Sequence, residues 1–348
     1  MIRLPSGLFN FNPVESERVS CTLMRILCPA LLCCILGFYC QAGSHCLAVE
    51  DTPSLKTVRA AVMPYLDFAP YFIAQEEGFF ADQGLKVEFV HFKVSSHALP
   101  ALINGDLDVV AGRPFAAHFN AMAKGVRLRF VADRSHLDPN SCSSNVIMAR
   151  ADLVRSGVLE RPETWTDLKV AISNASSPGL LIYERLLHTM GLTLETPTLV
   201  FMPGPIRMEA LIAGTIDMAT FNEPQISLLQ KSGKALIWKE EAQVYPDFQH
   251  AVLAYGPNLL DRDHEAGKRF MTAYLQGVRQ LAQGKTEKNL EILHKHTGLD
   301  TTLLLRACWP TIRKDGSLDT ASILDMQHWL KRQGLIENIL PPGEFWDS

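Results

Sequence analysis

Side chains able to do chemistry gather in a few short stretches of this 348-residue sequence, and their mix suits recognition better than bond making. The loop 64–70 (PYLDFAP) sets one charge, Asp67, between the flat faces of Tyr65 and Phe68. In 173–179 (SNASSPG), Asn174, Ser176 and Ser177 offer amide and hydroxyl groups, either to a partner or to the first backbone N–H groups of the next helix. Gly112, Arg113 and Pro114 present a guanidinium that fits an anion in bidentate fashion, or pairs with Asp67 or Glu223. Phe221, Asn222 and Glu223 add a ring, an amide and a carboxylate. Val94, Ser95 and Ser96 are weaker candidates, and Ser143, Ser144 and Asn145 weaker still.

Reactive constellations are missing from the same chain beyond residue 48. It has no GxSxG elbow, no HExxH helix and no paired-cysteine motif. Gly284, Lys285 and Thr286 imitate the end of a phosphate loop, but Arg279 stands where its first glycine belongs. His294 and His296 are two apart on an expected helix, so they point to different faces and are expected to be solvated. His97 and His118 are assigned satisfied surface or core roles. No nucleophile, base and orienting group converge, so no catalytic residue, metal or cofactor is expected.

Composition is that of a globular protein, 47% hydrophobic and 20% charged, and a net charge of -4 gives no reason to expect nucleic acid. One apolar run, 26–39, follows Met24 and Arg25 and leads into small and polar residues at 41–48. This is the pattern of an export leader at 1–48, with Met1 or Met24 as start and a cut after Ala42 or Ala48. Pro29 and the shortness of the run argue against a membrane span. Tyr39 before Cys40 and His45 before Cys46 argue against a lipid anchor. Six of the eight cysteines lie at or before residue 46, leaving Cys142 and Cys308, which are expected as two buried free thiols although an oxidising compartment permits a bridge.

The elements that must position these loops alternate strand and helix from residue 55 onward, the pattern of parallel α/β units. Strands are expected at 58–63, 86–91, 108–111 and 127–132, with helices at 70–78, 97–104 and 116–124. The order returns as strands 169–172, 198–202, 216–219 and 235–238, with helices 180–189, 206–213 and 224–231. LINGDLDVVAGRP (102–114) and LIAGTIDMATFNEP (211–224) each end a helix at glycine and turn into a buried strand, and Gly105/Gly214 and Asp108/Asp217 keep one offset. This points to duplicated halves. Two more apolar strands, 145–149 and 251–255, stand where the chain passes between halves, and such a double crossing makes a hinge. Phe270, Ala273, Tyr274, Gly277, Val278 and Leu281 fall at helical spacing, and 317–333 is a second late helix, both expected on the first half.

The run YFIAQEEGFFADQGLKVEFV (71–90), the LINGDLDVV unit and ETWTDLKVAI resemble the periplasmic solute-binding proteins of ABC importers for sulfonates, nitrate, taurine or thiamine-pyrimidine precursors. The resemblance covers the chain from about residue 55 and implies a type II periplasmic binding protein fold: two doubly wound α/β lobes joined by two crossing strands. Lobe 1 would hold 51–141 and 250–348, and lobe 2 would hold 142–249. It implies an exported, periplasmic monomer that closes on a small molecule and delivers it to a membrane permease and its ATPase. The ligand would lie between the lobes, at the C-terminal ends of strands, where helix N-termini offer free N–H groups.

Two carboxylates, Asp67 and Glu223, beside aromatic rings sit poorly around an anion. The expected ligand is therefore a heteroaromatic amine such as a pyrimidine precursor, with a sulfonate, nitrate or taurine-type anion as the alternative on Arg113 and the serine loop. An enzyme of the same fold, in pyrimidine or menaquinone biosynthesis, and a ligand sensor are the readings from other classes.

Overall fold

Ten strands alternate with helices along the chain, in a computed structural model that describes residues 55–93 and 95–347. The leader at 1–48 lies outside the described residues. The first sheet is built from β1 (Lys56–Val62), β2 (Leu85–His91), β3 (Val109–Gly112), β4 (Arg129–His136) and β10 (Gln249–Tyr255), in the order β2-β1-β3-β10-β4. The second holds β5 (Asn145–Arg150), β6 (Lys169–Ile172), β7 (Thr198–Phe201), β8 (Met218–Asn222) and β9 (Ala235–Glu240), in the order β7-β6-β8-β5-β9. The two orders are equivalent. In each, one strand is borrowed across the crossing: β10 runs antiparallel to β3 and β4, and β5 antiparallel to β8 and β9.

Helices fill the connections. They are α1 (Ala69–Glu76), α2 (Phe79–Asp82), α3 (Leu99–Asn104), α4 (Ala116–Ala123), α5 (Ala151–Ser156), α6 (Pro178–Thr189), α7 (Gly204–Ile212), α8 (Gln225–Ser232) and α9 (Glu241–Val244). The C-terminal run adds α10 (His264–Leu281), α11 (Glu287–Thr297), α12 (Thr301–Arg306), α13 (Thr320–Arg332) and α14 (Pro342–Phe345).

The duplication is written into hydrogen bonds. Asp108 Oδ2 accepts from the backbone N–H of Arg59 on β1 at 2.6 Å, and Asp217 Oδ2 accepts from that of Lys169 on β6 at 2.8 Å. Each aspartate thus pins its own strand to the first strand of its half, which explains the shared offset.

The six residues read at helical spacing on α10 are all buried. A Cβ at Gly277 would stand 2.3 Å from Pro70 O, so only glycine lets α10 lie this close to α1. The late helices do not all keep to the first half. Asp325 and Trp329 on α13 reach α6, pairing with Arg185 and donating to Glu184.

The thiol expectation is corrected: Cys142 and Cys308 form a disulfide with their Cα atoms 5.6 Å apart. They are 166 residues apart in sequence, and only the return of the chain beside the first crossing brings them together. The Gly284–Thr286 stretch is a helix start, with Thr286 Oγ1 accepting from Asn289 N at 3.2 Å. His294 and His296 are not simply solvated. His294 Nδ1 lies 2.7 Å from Leu299 O, while His296 stacks on Phe72 at 4.6 Å and meets Glu76 at 2.7 Å.

Candidate functional site

A cavity of about 310 Å³ opens between the two sheets' strand ends. Its floor comes from the ends of β1 and β3 (Met63, Tyr65, Asp67, Arg113, Pro114) and from Arg134 on β4. Its roof comes from where β6, β7 and β8 end and the next helices begin: Ser173, Asn174 and Ser177; Pro203 and Gly204; Asn222 and Gln225. The N-termini of α4, α6, α7 and α8 all begin at this cavity, because each of these helices follows directly on a strand end. Lys93 and His97 stand at its rim, both exposed.

Three guanidiniums dominate the electrostatics. Arg134, 4% exposed, gives Nη2 to Asp67 Oδ2 at 2.7 Å and lies 4.3 Å over the Phe68 ring, while its Nε and Nη1 are buried without an acceptor. Arg113 donates through Nη2 to Asn145 Oδ1 at 3.3 Å. Arg207, 3% exposed, donates through Nη1 to Met202 O at 3.0 Å, and its Nε is buried without an acceptor. Neither Arg113 nor Arg207 has a carboxylate within ion-pair reach among the described residues.

Burial pulls both of these arginines below the ordinary guanidinium range, Arg207 to about 10 with the charge of Arg113 adding to the shift. Both nevertheless stay charged near neutral pH. Burial, and then the Asp67 carboxylate, raise the Tyr65 hydroxyl, so that group stays a neutral donor or acceptor. Two cations without a carboxylate partner among the described residues, Arg207 buried and Arg113 half-buried, make a site whose polar needs an anion can meet.

Of the residues expected at the cleft, Tyr65, Asp67, Arg113, Pro114, Asn174, Ser177 and Asn222 line the cavity. Others do not. Phe68 is fully buried beneath Arg134, Phe221 packs in the core of the second half, and Gly112 is a buried residue of β3 paired with Val252. Ser176 turns back onto Asn174, to which its N–H and Oγ donate at 3.0 and 3.1 Å. Ser177 starts α6 without capping it through its side chain, giving its hydroxyl instead to Asn174 O at 3.0 Å. Ser95 and Ser96 belong to the turn Ser95–Ala98, with side chains outside the described residues, as is Val94.

Glu223 is the main correction. It is turned from the cavity, accepting from Ser227 N at 3.2 Å, Ser227 Oγ at 3.0 Å and Cys308 N at 3.2 Å. Burial raises its carboxyl, and these donors oppose the rise. With Asp67 held by Arg134 and Glu223 facing elsewhere, the two-carboxylate argument for a heteroaromatic amine loses its geometric basis. Arg113 likewise makes neither of the ion pairs that the sequence allowed.

Arg134, Arg207, Lys93, Phe115, Gly204 and Gln225 were missed. Arg134 was hidden because Asp133 and Arg134 read as the loop after a strand ending at 132, whereas β4 runs to His136. Arg207 and Gly204 follow β7, the counterpart of β2, so the duplicated pattern pointed at them once the loop after β2 was considered.

Two strand-linked α/β lobes with a cleft at the strand ends define the type II periplasmic binding protein fold. The chain belongs to the NMT1/THI5 like family, whose sequence profile matches residues 66–287. Among curated proteins it is 27% identical over 232 residues to the nitrate import ATP-binding protein NrtC of Synechococcus elongatus. That match takes in 64% of this chain but 34% of NrtC, so the chain spans about a third of that relative.

Among solved structures it is similar to the ligand-binding component of an ABC-type import system from Staphylococcus aureus, solved with zinc bound. The TM-score is 0.72 at 19% identity, covering 84% of this chain and 97% of that one. It is also similar to the alkanesulfonate-binding protein SsuA from Xanthomonas axonopodis bound to MOPS, with a TM-score of 0.67 at 16% identity, covering 84% and 98%.

Proposed function

We propose that this protein is an extracytoplasmic solute-binding protein that captures a small organic oxoanion between its lobes and hands it to an ABC permease driven by its ATPase. The observation that carries the reading is the pair Arg113, half-buried, and Arg207, buried, two guanidiniums on opposite walls of one cavity with no carboxylate partner among the described residues. The cavity of about 310 Å³ matches the lower range of small-molecule pockets and leaves room for an organic body beside the charged head. Family membership and the likeness to a sulfonate-binding and a nitrate-import protein support the same choice. A pyrimidine precursor would need a carboxylate to receive its exocyclic amine, and Asp67 on the lining is already paired through Oδ2 with Arg134, leaving only its Oδ1 without a partner.

Residues 142–249 act in this reading as one lobe, closing about the two crossings against 51–141 with 250–348. Capture needs no catalytic residue. The proposed ligand contacts are Arg113 and Arg207, with Tyr65, Asn174, Ser177, Asn222 and Gln225 shaping the remainder.

Calorimetry with methanesulfonate, taurine, MOPS, nitrate and 4-amino-5-hydroxymethyl-2-methylpyrimidine tests it. Binding of at least one sulfonate is expected, weakened about 100-fold by Arg113→Gln or Arg207→Gln, the effect of deleting one charge-assisted partner from a desolvated site. Tight binding of the aminopyrimidine with no anion bound would overturn the reading.

A further inference from the structure

A fully buried carboxylate stands outside the cavity lining. Glu241 opens α9 at the second chain crossing and is 0% exposed. The antiparallel register of β5 with β9 pairs Val146 with Glu240, so Glu241 follows on where β5 begins at Asn145, the residue that Arg113 holds. Its one titratable partner among the described residues is His250 on β10, with Nε2 3.2 Å from Oε2, and neither carboxylate oxygen has a well-aligned hydrogen bond.

The pair's charge state is defined by its surroundings. Burial alone would push the Glu241 carboxyl up, but the His250 contact and the charges of Arg113 and Arg207 outweigh it and hold Glu241 below the usual carboxylate range. Burial, and then Arg113, lower His250, with Glu241 opposing. Near neutral pH the pair is therefore carboxylate and neutral imidazole, one negative charge in sum.

A buried charge acts over a longer distance than an exposed one, because neither water nor salt screens it well. Around the cavity the charges are then Arg134, Arg207 and Glu241, all buried, with Arg113 and Asp67 half-buried, and three cations against two anions leave one positive charge uncompensated. Glu223 faces Ser227 and Cys308 and feels the charge of Lys285, with no cavity arginine among the influences on it, while Lys93 and His97 are exposed at the rim.

We infer that Glu241 is a specificity-determining residue: standing behind Arg113, it leaves the cavity one net positive charge, so that the site takes monoanions and rejects dianions of the same shape. The inference rests on the anion reading above and adds the charge class of the ligand. A dianion in this cavity would face the field of Glu241 with one charge unmatched. A monoanion is neutralised.

Methanesulfonate and sulfate test the rule, being tetrahedral oxoanions of similar size that differ by one charge. Wild-type protein should bind methanesulfonate, with sulfate weaker by about tenfold or more. Glu241→Gln keeps the shape and removes the charge, so the ratio should move about tenfold towards sulfate. Arg207→Gln should weaken both anions and move the ratio the opposite way, which keeps the test open if the Glu241 variant folds poorly. A preference unchanged in both variants, or sulfate bound as tightly as methanesulfonate by the wild type, would overturn the role given to Glu241 while leaving anion capture intact. Failure of the wild type to bind any anion would overturn the parent reading and this inference with it.

Discussion

His118 shows how one residue couples the core to the cavity wall. It sits on α4, buried against Phe130, and its Nδ1 accepts from the backbone N–H of Phe115, whose ring lines the cavity. Burial lowers its imidazole from 6.5 to about 4. A histidine depressed in this way binds more protons unfolded than folded, so stability rises with pH across that interval. The contribution, on the order of 3 kcal/mol, is fully present above pH 6.5 and drains away as pH falls towards 4. Melting temperature followed from pH 7 to 4 should fall, and His118→Phe should flatten the curve; equal slopes in the two proteins would assign the loss to other groups. The sequence showed that His118 lay beside the cleft but not which of its two satisfied roles it takes. Surface and core roles differ only in what packs over α4, and that is supplied by β4 and by Phe345 on α14.

At the scale of elements, the packing of α10 on α1 tests whether a close approach, and not helix propensity, placed a glycine. Alanine is the better helix former by up to about 1 kcal/mol. At Gly277, however, its Cβ would meet the carbonyl of Pro70 at 2.3 Å, a backbone atom that cannot swing aside. Gly277→Ala should therefore lower stability by about 1–3 kcal/mol, the usual range for overpacking, as read by urea unfolding with an unchanged m-value. A gain in stability would show that α10 shifts freely. The periodicity of α10 was plain in the sequence, as was the strand order of each half, because both repeat at fixed intervals. What the intervals could not show was the exchange of β5 and β10 between sheets and the reach of α13 to α6, since both depend on where the chain recrosses. The cavity was legible in proportion. Tyr65, Asp67 and Arg113 follow, and Asn222 ends, strands with clear patterns, whereas Arg134 lies inside a strand whose charged end looked like a loop.

For the whole molecule, the stretch around Cys308 makes a third link between the halves beside the two crossings. Cys308 is bonded to Cys142 on the first crossing, and Thr311 bridges to His136 at the end of β4. Cys308 also gives its N–H to Glu223, next to Asn222 on the cavity roof. Swinging the second half outward would have to break the Glu223 contact or drag this stretch along, and the disulfide opposes the latter. Reduction should loosen both. A disulfide spanning 166 residues also restricts the unfolded chain, so the paired Cys142→Ser and Cys308→Ser variant should lose roughly 2–4 kcal/mol. The two effects separate experimentally, because chain entropy changes the melting temperature alone, whereas a released link also changes shape. X-ray scattering of the ligand-free protein should give a larger radius of gyration for the double-serine variant than for the oxidised wild type. Glu223→Gln, which leaves the disulfide in place but weakens the carboxylate contact, should give an intermediate radius. Equal radii for all three proteins would reduce Cys142–Cys308 to a staple of stability with no part in how far the halves open.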